Sequence, residues 1–269
     1  MQLNELRREL LAEFLGTLTL IVFGLAVNAQ VTLSSQTTGT YLSINFGWGL
    51  AVMMGIYVSG GISGAHLNPA VTIALACLRG FSWRKVIPYI LVQLLAAFVA
   101  SAIVFFVYYD ALGAYESNLL STNKAVQTLG TSHLMETAGI WATYPQEFLT
   151  LRGGFVDQAV GTAFLLMLIF AMSDGKNLAP YPKIAPITVG TIVFLIGMTF
   201  GLNCGYAINP IRDFGPRFFT YVAGWGGEVF QKGNGFWWVP IAGPIVGGVV
   251  GGLTYDLFVK NQHPEDESE

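Results

Sequence analysis

The sequence predicts an all-α membrane protein: six transmembrane helices plus two half-helices meeting at the bilayer midplane, built as two inverted repeats. Three observations predict it. Of 269 residues, 53% are hydrophobic and only 11% charged, whereas a soluble globule carries about 25% charged residues. The mean hydropathy is +0.57, the value of a surface made for lipid. Six apolar runs reach the length of about 20 residues that a span needs, and an Asn-Pro pair heads two further apolar runs that are too short to span.

The elements follow in order. The first run, about 9–29, comes after Arg7-Arg8 and carries Glu13 inside it, so it reads as a spanning helix rather than a cleavable leader. The second covers about 40–60, and the first short helix about 68–79 follows Ser63-Gly64-Ala65-His66-Leu67-Asn68-Pro69-Ala70-Val71. The third span covers about 86–108, and 109–152, with its Tyr, Ser, Thr and Asn, reads as a long outer loop. Spans four and five cover about 154–173 and 184–202. The second short helix, about 209–221, follows Cys204-Gly205-Tyr206-Ala207-Ile208-Asn209-Pro210-Ile211-Arg212-Asp213. The sixth span covers about 236–259, and a polar, disordered tail follows at 261–269. The chain thus reads as a single membrane domain over 1–269, with repeat one at about 9–108 and repeat two at about 153–260.

Two short helices of ~12 residues each supply ~18 Å apiece at ~1.5 Å per residue, so end to end they cover ~36 Å. That matches a hydrocarbon core of ~30 Å. An internal repeat supports the pairing. Glu13 to Thr17 matches Gln158 to Thr162 at an offset of 145 residues, and Asn68-Pro69 matches Asn209-Pro210 at an offset of 141. Three spans per half force the halves to be inverted, and inverted repeats with broken helices at the midplane build solute pathways. With both termini inside, inner segments hold eight Lys/Arg (7, 8, 79, 84, 85, 176, 183, 260) and outer segments five (Lys124, Arg152, Arg212, Arg217, Lys232), the bias that orients a membrane protein.

Each Asn-Pro box has a local logic. The Asn side chain accepts from open backbone donors at an N-cap. Pro suits the first turn because it lacks an N–H that would be orphaned there. Each box therefore starts a helix whose positive dipole end lies at the Asn. Extended backbone at membrane depth is tolerated only when buried or lining a wet cavity. The segments 64–67 and 203–208 are such backbone, so the carbonyls of Gly64, Ala65, His66, Asn203, Cys204 and Gly205 are expected to form a ladder of acceptors, with Asn68 and Asn209 as donors at the middle.

The two boxes, together with Ala12 to Thr17, Tyr206 to Pro216, Ala223-Gly224-Trp225-Gly226 and Trp238-Val239-Pro240, resemble the aquaporin family over nearly the whole chain. Asp213 directly after Arg212, the late Pro240-Ile241 pair and Tyr144 in the outer loop resemble its glycerol-conducting branch, the aquaglyceroporins. The resemblance implies the aquaporin fold and a homotetramer with one pore per subunit. It implies a passive channel for glycerol, water and small neutral solutes such as urea that rejects protons and ions. It also implies a multi-pass protein of the plasma membrane with cytoplasmic termini.

Residue by residue it implies a selectivity filter of Trp48, Gly197, Tyr206 and Arg212, boxes of Asn68, Pro69, Ala70, Asn209, Pro210 and Ile211, and loop support from Glu13, Gln158 and Asp213. Trp48 and Tyr206 suit the C–H side of a polyol, Arg212 suits its hydroxyls, and Gly197 is read as room for the carbon chain where water-only members usually place His. Ile211 departs from the family's Ala, which puts the pore diameter near the midplane in question.

Bland alternatives stand beside these roles. Arg212 can form a structural ion pair with Asp213, Trp48 and Tyr206 can be ordinary core aromatics, and Glu13 can be a proton-coupling carboxylate. His66 reads as pinned by neighbours, with pH sensing as the alternative; His133 and His263 read as solvated. Cys204, near the filter loop, is a candidate for mercurial block. The two cysteines, Cys77 and Cys204, do not make a disulfide framework, and no Asn-x-Ser/Thr acceptor occurs. The net charge of −3 points to no nucleic-acid partner. No nucleophile–base pair, metal cluster or phosphate loop is seen, so a non-enzyme without metal or cofactor is expected. The rival functions are a water-selective channel, a secondary transporter with inverted repeats, and a structural junction protein with little flux.

Overall fold

The computed structural model describes residues 3–122 and 131–264. Lys124 of the orientation argument and the end of the polar tail lie outside them. The described residues are helical with no strand among them. In chain order the helices are α1 (Leu3–Leu33), α2 (Tyr41–Ser63), α3 (Pro69–Leu78), α4 (Trp83–Val107), α5 (Tyr109–Thr122), α6 (Leu151–Ser173), α7 (Ala185–Phe200), α8 (Pro210–Thr220), α9 (Glu228–Gly235) and α10 (Val239–Phe258).

Among the described residues, five helices are long and apolar enough to cross a membrane: α1, α2, α4, α6 and the stretch around α10. The predicted fifth span is α7, with only 16 residues, or ~24 Å at 1.5 Å per residue. It is shorter than expected because the chain turns after Phe200 into the second re-entrant segment. The predicted outer loop is partly ordered: it contains α5 and a 3₁₀ turn, Met135–Ile140. Helix α8 ends at Thr220 and runs into one π turn, Tyr221–Trp225, broken by Gly224 at φ +119°.

The halves interlock. Helix α1 packs on α2 and α4, α6 packs on α7 and α10, and α2 meets α7 across the middle. The half-helices are exchanged: α3 lies on α10 as well as α4, and α8 lies on α4 as well as α10. Glycines permit the closest crossings, where a Cβ on Gly247 would come within 2.0 Å of the Ala159 carbonyl oxygen and one on Gly190 within 2.5 Å of that of Gly49. Such small-residue contacts let helices approach where lipid supplies no hydrophobic drive. Helix α3 is tied at its far end by Arg79, which donates twice to Asp256 on α10. Nearby, Asp174 at the end of α6 accepts from His263, Tyr255 and the Lys176 amide, first among them the His263 ring, which draws its carboxyl down to about 2. His263 is therefore partnered rather than solvated as expected.

Candidate functional site: a broken span around two Asn-Pro boxes

Helices α3 and α8 start as their sequences require. Asn68 and Asn209 sit in extended backbone, and their side-chain oxygens accept from the amides of Ala70 (2.8 Å) and Ile211 (3.2 Å), with Pro69 and Pro210 in the first turn. The two N-termini are braced against each other. The Asn68 amide donates to the Ile208 carbonyl and the Asn209 amide to the Leu67 carbonyl, both at 2.8 Å. The residues before the boxes adopt left-handed backbone, Leu67 at φ +54° and Ile208 at φ +42°. That conformation is uncommon for branched side chains and persists where surrounding bonds over-determine it.

Those bonds come from behind. Glu13 on α1 accepts from the Leu67 amide and from Gln93 through one oxygen, and from Ser63 (2.7 Å) and the His66 amide (3.3 Å) through the other. Gln158 on α6 donates to the Gly205 carbonyl (2.6 Å) and accepts from the Ile208 amide (3.1 Å). The Glu13 oxygens are filled by four donors and buried, the geometry of a strut. The His66 ring packs on Phe81 and Tyr89 and shares a hydrogen bond with Thr72.

Two cavities open on either side of a constriction. One, of about 180 Å³, is lined by Gly64, Ala65, His66, Leu67 and both box asparagines against an apolar wall from α2, α6 and α7. The other, of about 290 Å³, is lined by Asn28, Tyr41, Thr143, Tyr144, Cys204 and Gly205 among others. The residues common to both linings are Trp48, Tyr206 and Arg212. The Arg212 guanidinium lies 4.2 Å over the Trp48 ring and donates to the Trp141 carbonyl at 2.9 Å. Its expected rival partner, Asp213, is engaged elsewhere: it accepts from the Thr143 amide and hydroxyl and from Arg217, at 2.6–3.0 Å. Arg217, fully buried, also donates to the carbonyls of Val229 and Thr143. Beside them, burial pushes the Tyr144 hydroxyl well above the ordinary tyrosine range, so it holds its proton.

Several expectations need correction. Gly197 is buried on α7, but its missing side chain makes room for Tyr206, not directly for solute: a Cβ there would lie 2.5 Å from the Tyr206 ring. Ile211 packs into the core and lines neither cavity, so it does not narrow the path. The segment 202–204 is a turn, and Gly205, which begins the irregular backbone before the second box, is left-handed at φ +67° rather than extended. Asn203 lines neither cavity, because its carbonyl accepts from the Gln146 amide and its side chain donates to Asp157. Gly205 lines the second of the two cavities, but its carbonyl is held by Gln158. Cys204 is buried, with its sulfur against Gln158 and Asp157. His133 is not solvated: its ring stacks on Trp225 at 4.2 Å and bonds Glu116 at 2.9 Å.

Sequence reading missed Asn28, Gln93 and Arg217. The first two were legible as polar residues inside apolar spans, which are functional by default. The third was legible from its i,i+4 spacing to Asp213, which puts opposite charges on one helix face.

A family model described as Major intrinsic protein matches residues 1–255. Aquaporin-9 of Homo sapiens is 44% identical over 265 residues, which cover 98% of this chain and 87% of that protein. Aquaporin-10 of Milnesium tardigradum is 45% identical over 273 residues, and the match spans 97% of this chain but 65% of that longer protein. Aquaglyceroporin-2 of Rhizophagus irregularis is 45% identical over 252 residues, covering 94% of this chain and 77% of that one. Among solved structures, the aquaglyceroporin from Plasmodium falciparum matches with a TM-score of 0.79 and 35% identity, over 94% of this chain and 97% of its own.

Proposed function

The chain belongs to the major intrinsic protein family, whose members are channels and not enzymes, and we propose that it is a glycerol- and water-conducting pore filtered by Trp48, Tyr206 and Arg212. One observation carries this reading: two cavities, of which one is lined by both box asparagines and the other by neither, share only those three residues in their linings. The Trp48 and Tyr206 rings offer an apolar corner to the C–H side of a polyol. Arg212 presents a fixed fork of five N–H donors, and its one side-chain hydrogen bond among the described residues goes to Trp141. The rest of the fork serves successive hydroxyls. Below the constriction, solute trades hydration for the carbonyls of 64–66 and the remaining N–H of each box amide. The same chemistry suits urea and other small neutral solutes. Two positive half-helix ends and Arg212 oppose protons and cations.

The chain acts as one integral membrane domain, in the plasma membrane with both termini cytoplasmic, and as a homotetramer with a pore in each subunit. Charge placement supports the orientation and family membership supports the assembly. Glu13, Gln158 and Asp213 act as supports behind the re-entrant segments and the outer loop.

The test is stopped-flow light scattering of proteoliposomes under a glycerol gradient and then a sucrose gradient, on wild type and Arg212→Ala. Glycerol and water should equilibrate faster than in protein-free vesicles, with weak temperature dependence, and Arg212→Ala should add a proton leak. Water flux without glycerol flux would replace this reading by a water-selective channel. No flux of either would replace it by a structural role.

A further inference from the structure

We propose that Asn28 is a positioning residue for solute selection: by accepting the Trp48 indole N–H it fixes the aromatic wall of the constriction. The inference rests on the filter reading above and assigns a further residue to it. Asn28 lies within α1, is buried, and lines the larger of the two cavities that meet at the filter. Its side-chain oxygen accepts from Trp48 Nε1 at 3.0 Å, and its Nδ2 donates to the Ile140 carbonyl at 2.9 Å. An indole only donates and a backbone carbonyl only accepts. The amide therefore has one orientation, and turning it over loses both bonds.

Two further contacts border the indole. Gly24, one helical turn before Asn28 on the same face of α1, forms the floor: a Cβ there would come within 2.3 Å of the Trp48 ring. Arg212 covers the ring from the other wall at 4.2 Å. Ile140 and Trp141 are consecutive, and their carbonyls hold Asn28 and Arg212 respectively. One turn of the outer segment thus carries both walls of the constriction, through a side chain on one side and directly on the other. That turn is itself anchored by Glu116, which accepts from the Leu134 amide and the Thr137 hydroxyl. Without an acceptor at position 28 the indole N–H is left buried and unmet, which a free ring relieves by rotating toward the wet constriction. The rotated ring narrows the path for a three-carbon solute more than for water.

The experiment is a double-substitution cycle on the full chain in proteoliposomes, reading the ratio of glycerol to water permeability, which is independent of how much protein is incorporated. Asn28→Val is expected to lower the ratio by about fivefold, the effect of about one hydrogen bond on a positioned group. In a Trp48→Phe background, which has no ring N–H, Asn28→Val is expected to change the ratio by less than twofold. A role through the Ile140 tether alone would give the same fall in both backgrounds, and that outcome overturns the proposal, as does an unchanged ratio in Asn28→Val itself. Asn28→Ala removes the same acceptor without a branched carbon and decides the matter if the valine is not accommodated. Failure of both variants to reach the vesicle would make Asn28 a folding residue and would also overturn it. Wild type that conducts no glycerol would instead remove the filter reading on which the inference stands.

Discussion

Set the two half-helices side by side at their offset of 141 residues and they agree wherever the frame is built. Asn68 matches Asn209, Pro69 matches Pro210, the left-handed Leu67 matches Ile208, and Gly64 at φ +80° matches Gly205 at φ +67°. They part at the proposed filter. Val71, Thr72 and Ala76 in α3 stand where α8 has Arg212, Asp213 and Arg217, and Ala65 stands where the second segment has Tyr206. Symmetry supplies the cross-brace at the midplane, and the departures from symmetry supply the constriction. An arginine at a cavity wall must also be supported. In α8 that support is local, since Asp213 and Arg217 fasten the outer segment whose Trp141 carbonyl orients Arg212.

The largest effect should come from breaking the charged half of this comparison. Arg217→Leu leaves the Asp213 carboxylate buried without its partner and frees two carbonyls, and removing one member of a buried pair costs about 3–5 kcal/mol. Thermal unfolding in detergent and the yield of membrane-inserted protein would report it. A loss well under ~1 kcal/mol would show that the pair is ornamental.

The comparison is sharpened by exchanging the struts. Gln158→Glu removes the donor to the Gly205 carbonyl and points an acceptor at it. Glu13→Gln keeps one acceptor and turns an amide toward donors. Each leaves buried groups unmet at about 1–3 kcal/mol apiece. The first should cost more, because Asp157 lies beside the new carboxylate. Equal melting temperatures for the two variants would mean the halves are interchangeable after all.

A smaller and more selective effect is expected at Gly197. Alanine there displaces the Tyr206 ring, 2.5 Å away, into the constriction. Glycerol flux should fall by about tenfold, or ~1.4 kcal/mol, with water flux falling less. Parallel loss of both would mean that α7 has shifted as a whole.

Much of this architecture was legible in the sequence because its signals are local. Asn followed by Pro after a glycine segment starts a helix in any setting, and twenty apolar residues state their own length. Glu13 and Gln158 showed themselves as polar residues at matching repeat positions. The rest depended on partners far away in the chain. Gly197 reads as space, but only the fold says that Tyr206 fills it. Asn203 sits in the right segment, yet its carbonyl is claimed by Gln146, 57 residues earlier. Helix α5 is polar, and its buried Leu112 and Glu116 become meaningful only when the 3₁₀ turn lies against them. His133 looked solvated because nothing nearby in sequence announces Trp225 or Glu116 as neighbours.

The crossed amide–carbonyl pair at the midplane also imposes an order on synthesis. The Asn68 amide needs the Ile208 carbonyl and the Leu67 carbonyl needs the Asn209 amide. When the first box leaves the ribosome, its counterpart is still about 140 residues away from being made. At about 5–20 residues per second that interval is about 7–28 s. For that time the first box keeps its intrinsic cap and its Glu13 anchor but has no midplane partner, and translation of the second half is what closes the pore.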